Sequence, residues 1–325
     1  MSLKISNLKR KLKTKKRAKK IKKIRQNKNK LKTNEIKVNI SNDSIIKNKS
    51  TTQIFKFNSI SEMCNFLDSI TPNIRLKLLI NYNKEKYFIF KTELHQKKEH
   101  KIKKDTTIEN YQYKGLSSKE IAKLFKAFYS EDEFKFSDYI KKKQLNKKLK
   151  LAIAPKQFTV ENDHLTIENR YANVISIEHI NNSCIFENII KNIDTWLSID
   201  CYKIDNKFIL EKLNQMKTDK LIEKKFTDSI IAKMDDITEM LQKETIFQCE
   251  IKLLLYNNDL EQLKHDSGLV IDDLAENYCT SYIPQEKINT RRSFEKSIYP
   301  NGTMDIVQSL NINELFNMIG SEQNV

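Results

Sequence analysis

Between Ile153 and Ile298 the chain alternates β-rich runs with runs of helical period, and that order leaves few architectures open. QFTVE, HLTIE and NVISIEHI are short strand-forming runs separated by turn residues, notably Glu161-Asn162-Asp163. IFENIIKNI (Ile185–Ile193) then has helical spacing, and WLSIDCYKI (Trp196–Ile204) alternates apolar with polar as a strand does. Asn206 is placed to cap KFILEKLNQM. Asp219–Lys243 predicts one long helix with Ile222, Phe226, Ile230, Met234, Ile237 and Leu241 on a single stripe. Ile246–Tyr256 is a strong strand, and Leu260–His265 opens a helix expected to stop near Gly268. Strand–helix–strand, helix, strand–helix is the order of an α+β, ferredoxin-like split β-α-β sandwich with its helices on one face of an antiparallel sheet. Residues 151–302 are the expected domain.

The flanks are less regular. Residues 53–110 predict a small α/β unit: a strand at Ile54–Phe57, a helix ISEMCNFLDSI capped by Ser59 or Ser61 and ended by Pro72, and a hairpin of Arg75–Ile80 with Tyr87–Lys91. His95–Thr107 is charged and expected to be loop. Residues 111–150 form a helical connector whose clearest part is Gly115–Tyr129. There Ser117 and Glu120 make a capping box, and Ile121, Leu124, Phe125 and Phe128 share one face. FKFSDYI and a basic run, Lys141–Lys150, follow it. Residues 303–325 are expected to be a C-terminal tail.

Charge separates the first 52 residues from the rest. The chain holds 59 Lys and Arg against 42 Asp and Glu, a formal charge of +17. Sixteen of the 59 lie between Met1 and Thr33, where there is no acid, which leaves 43 basic against 42 acidic side chains beyond. A solvated, disordered basic tail and linker is expected over 1–52. Its Lys9, Arg10, Lys11, Lys15, Lys16, Arg17, Lys19, Lys20, Lys22, Lys23 and Arg25 are candidates for contact with nucleic acid or an anionic membrane surface. A solubilising tail that binds nothing explains the same composition. The N-terminus has no apolar core of a secretory signal, and no run is long and apolar enough to span a membrane.

Little catalytic chemistry is visible. Four glycines, none near another, exclude a phosphate-cradling loop of the G-x-x-x-x-G-K-[ST] kind. Cys64, Cys184, Cys201, Cys249 and Cys279 form no C-x-x-C pair. Three of them sit among Ile, Leu and Tyr, where a thiol acts as a small apolar residue and suits a reducing compartment. His95 and His100, five apart among lysines, read as solvated. Asp235-Asp236 and Asp272-Asp273 point about 100° apart on a helix, so each pair reads as solvated rather than chelating. His164 and His179 belong to no recognisable triad or H-E-x-x-H, Arg291-Arg292 reads as a helix end, and Tyr111, Tyr113 and Tyr129 make no stacking platform for RNA. No metal or cofactor is expected.

LSSKEIAKLFKAFYS (Leu116–Ser130), followed by Ile153, Pro155, Phe158, Tyr171, Val174 and Ile177 and later by Phe294, Ser297, Pro300 and Gly302, resembles the N-terminal, pre-motor region of the conjugative-transfer ATPases of type IV secretion systems. The similarity runs over about Gly115–Gly302. In that family the Walker motifs follow this point, whereas the present sequence ends at Val325. The resemblance therefore implies a non-catalytic assembly or docking module, not an enzyme by itself. Its implied partners are secretion or conjugation channel proteins or a separate motor ATPase, with a cytoplasmic location at the inner face of the cell membrane. A nucleic-acid-binding protein using the Lys/Arg-rich arm is the alternative.

Overall fold

The structure is a computed structural model that describes residues 39–41, 44–47, 50–72, 74–94, 115–130, 155–181, 184–222, 228–299 and 304–320. The basic arm, His95, His100, Tyr111, Tyr113, Phe134–Ile140 and the Lys141–Lys150 run lie outside these residues, as do Ile153, Pro300 and Gly302.

The described residues form an α+β structure on a single antiparallel sheet. In chain order its strands are β1 (Asn39–Ser41), β2 (Ser44–Lys47), β3 (Ser50–Phe57), β4 (Arg75–Asn81), β5 (Lys86–Leu94), β6 (Phe158–Val160), β7 (Leu165–Ile167), β8 (Arg170–His179), β9 (Thr195–Lys203), β10 (Ile246–Asn257), β11 (Thr280–Tyr282) and β12 (Gln308–Asn311). The helices are α1 (Ile60–Ser69), α2 (Ser118–Ala127), α3 (Phe186–Ile190), α4 (Asn206–Ile222), α5 (Asp228–Lys243), α6 (Leu260–Glu276), α7 (Lys287–Ile298) and α8 (Ile312–Met318). The strand order is β1-β2-β3-β5-β4-β9-β10-β8-β7-β6, with β11 also on β8 and β12 also on β10. Val174, Leu197 and Leu253 share this sheet as the alternating runs require: Leu253 faces Leu197 on β9, and Leu254 faces Val174 on β8.

Most predicted elements form because local signals agree with what the sheet needs. Ser59 caps α1, its Oγ accepting from Glu62 N at 3.1 Å. The capping box of α2 is complete, with Ser117 Oγ accepting from Glu120 N and Glu120 Oε2 accepting from Ser117 N at 2.7 Å. Strand periodicity puts alternate residues on opposite faces. Thus Leu76, Leu78, Ile80, Leu197, Ile199, Cys201, Ile251, Leu253 and Leu255 meet α1, α3, α6 and α8 in one core. Ile54, Leu79, Phe88, Phe90, Val174, Trp196 and Leu254 meet α2 and α7 in another.

Six expectations need correction. Strands β1, β2 and the start of β3 fall within residues 1–52, where a disordered tail and linker is expected, and they pair into the sheet edge. Helices cover both faces of the sheet, because its central strands are apolar on both sides. The boundary between a small unit at 53–110 and a domain beginning at 151 is crossed by the sheet: β4 pairs with β9 from Arg75↔Tyr202 to Ile80↔Leu197. The long helix expected from Asp219 divides into α4 and α5, packed against each other. Met234 and Leu241 are buried, whereas Ile230 and Ile237 are exposed, so the single stripe is shared between two environments. Helix α6 runs through Gly268 to Glu276, since burial of Leu263, Val270 and Leu274 outweighs the roughly 1 kcal/mol that one helical glycine costs. Finally, the expected tail contributes β12 and α8. Leu310, Leu315, Met318 and Ile319 enter the core, and the Tyr82 hydroxyl donates to Ile319 O at 3.0 Å. A smaller shift occurs at α4, where Asp205 rather than Asn206 accepts from Phe208 N; Asn206 instead donates to Leu241 O and Glu244 O at the end of α5.

Candidate functional site

Charged side chains buried inside the central strands mark the most unusual place in the molecule. RLKLLIN, TWLSIDCYK and IFQCEIKLLLYN each carry ionisable groups mid-strand. Alternation sends Lys77, Ser198, Asp200, Glu250 and Lys252 to the face that α7 covers. Register then lines them up. Lys77, Asp200 and Glu250 are consecutive cross-strand neighbours on β4, β9 and β10, and Ser198, Lys252 and Ser176 are consecutive on β9, β10 and β8. All are buried, Lys77 completely.

Each charge in this row is answered. Lys77 Nζ donates to Asp200 Oδ2 at 2.7 Å, Ser198 Oγ at 2.9 Å and the carbonyl of Lys296 at 2.6 Å, which uses all three ammonium protons. Lys252 Nζ lies 2.5 Å from Glu250 Oε1. From α7, Lys296 Nζ reaches Asp305 Oδ2 at 2.6 Å and approaches Glu250 Oε2 at 3.9 Å. Asp305 N donates back to Glu250 at 3.2 Å, and Arg292 closes the rim on Asp305 Oδ1 at 3.0 Å. Burial lowers the Lys252 ammonium from its usual range against the opposing pull of Glu250, and Lys77 pushes in the same direction as burial. Burial works to raise the Asp305 carboxyl, but Lys296, Arg292 and Lys252 together hold it below the ordinary value.

Chemically, this row is a clamp. A lysine whose three protons are already donated cannot take a proton, and carboxylates locked onto ammonium groups are poor general bases. What it does mechanically is fasten α7 and the Asp305 segment across β4, β9 and β10. The hydroxyls of Tyr129 and Tyr299, 2.9 Å apart, tie the same helix to α2, and burial pushes both phenols above their usual range. Among the described residues, Ser176 Oγ, opposite Lys252, is the one side chain of the row left without a hydrogen-bond partner.

The residues singled out from sequence are scattered. Phe294 and Ser297 are buried on α7, where Phe294 packs against Tyr129 and Phe158 and Ser297 Oγ donates to Ser293 O. Arg291 and Arg292 are spent on Glu295 and Asp305. His164 pairs with Asp163 at 2.8 Å against the edge of Tyr171, and His179 is exposed. Asp235, Asp236, Asp272 and Asp273 are all exposed, Asp235 bonded to Lys217. The five cysteines are buried free thiols. Cys201 and Cys249 face each other with sulfurs 3.8 Å apart, and burial together with Cys279 pushes the Cys184 thiol up to about 12. Among the described residues no group of three or more His, Cys, Asp or Glu is arranged to hold a metal ion, and no helix is long and apolar enough to cross a membrane.

The buried charge row escaped the sequence reading, although a partial signal was present: Lys77 and Lys252 interrupt the apolar runs LKLLI and IKLLL, whereas Asp200 fits the alternation of its strand. No protein-family model matches the chain, and no curated protein matches it significantly.

Proposed function

We propose that the chain is a non-catalytic docking module similar to the pre-motor region of a conjugative-transfer ATPase, with residues Arg170–Tyr282 as its ferredoxin-like core. The observation that carries this reading is the strand order β11-β8-β10-β9, all antiparallel, with α3 crossing from β8 to β9 and α6 from β10 to β11. That is the split β-α-β order, in the part of the chain where the resemblance lies. Between β9 and β10 the α4–α5 pair is inserted, and Phe208, Met216, Ile230 and Ile237 on it are 41–57% exposed. Apolar groups left in water on an inserted element favour contact with a protein partner, here a channel component or a separately encoded motor ATPase at the cytoplasmic face of the membrane. Co-purification of the full chain with such a motor is the test. Phe208→Ser with Ile237→Ser should abolish it, and deletion of residues 1–33 should leave it intact. ATP turnover by the purified chain, or unimpaired co-purification of the double variant, defeats the proposal.

The alternative, nucleic-acid binding through Lys9–Arg25, rests on the concentration of 16 cations in the first 33 residues. It requires that binding fall steeply with salt and vanish when the arm is removed.

A further inference from the structure

On the same sheet face as the charge row, beside α2, lies a cleft of about 290 Å³. Phe88, Trp196 and Leu124 form its apolar wall, and Lys56, Lys86 and Lys123 line it together with one carboxylate, Glu120. Cross-strand pairing of Lys56 with Phe88 sets the first ammonium beside the aromatic wall, and α2 brings Lys123 and Leu124 from the other side.

The chemistry of these groups is unbalanced. Among the described residues none of the three lysines has an ion-pair partner. Of the carboxylates nearby, Asp194 accepts from Lys84 at 2.7 Å and from Asn81 at 3.2 Å, and Glu120, on the cleft wall, accepts from Ser117 N in the capping box. Burial lowers the Lys86 ammonium below its ordinary range. Lys84 and Lys56 add like-charge repulsion, and Asp194 only partly opposes them. In contrast to the charge row, which is internally neutralised, this cleft sets three lysines against one carboxylate, that of Glu120, next to aromatic surface.

We propose that the cleft binds a small flat aromatic ring bearing an anionic group, the ring against Phe88 and Trp196 and the anion among Lys56, Lys86 and Lys123. Its volume is close to the ~300 Å³ at which small-molecule sites begin, which suits a single ring system rather than a polymer. The anion can be the phosphate of a nucleotide or the carboxylate of an aromatic acid. The site is independent of the docking reading, which concerns α4 and α5.

Trp196 is the only tryptophan in the chain, so all indole emission comes from the wall of this cleft even with the basic arm present. The full chain is titrated, with excitation at the red edge of the indole band, against AMP and against phenylacetate. Adenosine and 2-phenylethanol serve as uncharged counterparts, and inorganic phosphate and acetate as ringless ones. Saturable change with AMP points to a nucleotide, and with phenylacetate to an aromatic acid. In either case the uncharged and the ringless counterparts should bind at least about tenfold more weakly. Lys56→Glu and Lys123→Glu, both at exposed positions and checked for native circular dichroism, should each weaken binding by about tenfold or more. The proposal is overturned by no saturable change with either anion up to about 10 mM, where a millimolar site is filled. It is equally overturned by ringless anions that bind as well, or by folded lysine variants that bind unchanged.

Discussion

Replacing Asp200 by Ala is the sharpest probe of the buried charge row. Lys77 has no exposed surface, and the side chain of Asp200 retains 10%. The substitution removes the one carboxylate that holds Lys77 among the described residues and leaves its ammonium with two neutral acceptors, Ser198 Oγ and Lys296 O. Glu250, the next residue across the sheet, cannot take over, because Lys252 and Lys296 already hold it. Removing one partner of a buried pair costs about 3–5 kcal/mol, since the remaining charge stays dehydrated and unanswered. Asp200→Asn keeps the acceptor atom and loses the charge, so its cost should fall between that of Asp200→Ala and zero. Lys77→Met combined with Asp200→Leu removes both charges and should recover most of the loss. Urea unfolding at neutral pH, followed by circular dichroism, measures all three. Glu261→Ala, which breaks the exposed Lys264–Glu261 pair, should stay within about 1 kcal/mol of the parent. An Asp200→Ala variant no less stable than Glu261→Ala would show that the Lys77–Asp200 pair does not hold these strands, and the account of the clamp would fall.

Three further outcomes follow from the same structure. Ser117→Ala deletes one half of the α2 capping box and should cost about 1 kcal/mol in the same unfolding assay. Asp305 titrates below its usual 3.8 in the folded chain, so its contribution is present above the unfolded value and is lost as pH falls through the folded one. The stability gap between the parent and Asp305→Asn should therefore be constant near neutrality and shrink below about pH 4. All five cysteines are buried, and the Cys184 thiol is pushed up to about 12. At pH 8 an alkylating reagent should label the native chain slowly and all five sites promptly in urea, as counted by mass spectrometry.

The α2 capping box, the Ser59 cap and the β10 run were legible because each depends on residues within one turn or one strand. The α4–α5 division was not, since the spacing from Ile230 to Leu241 fits one stripe equally well whether or not the helix folds back. Gly268 misled because a local cost of breaking helix was set against burial that only the packed α6 reveals. The charge row was half visible. Lys77 and Lys252 stand out in their strands, yet nothing local states that Lys77 and Asp200, 123 positions apart, become partners.

Taken alone, the order of residues determined which segments extend, which coil and which side of each strand or helix is apolar, because these follow from short-range sterics and from a two- or 3.6-residue period. Tertiary structure decided the neighbours. The adjacency of β4 and β9, the return of residues 308–320 into the core and the neutralisation of buried lysines by distant carboxylates arise only when both sheet faces are covered at once. The free energy of burying a face or a charge depends on what closes over it, and that is a property of the whole fold.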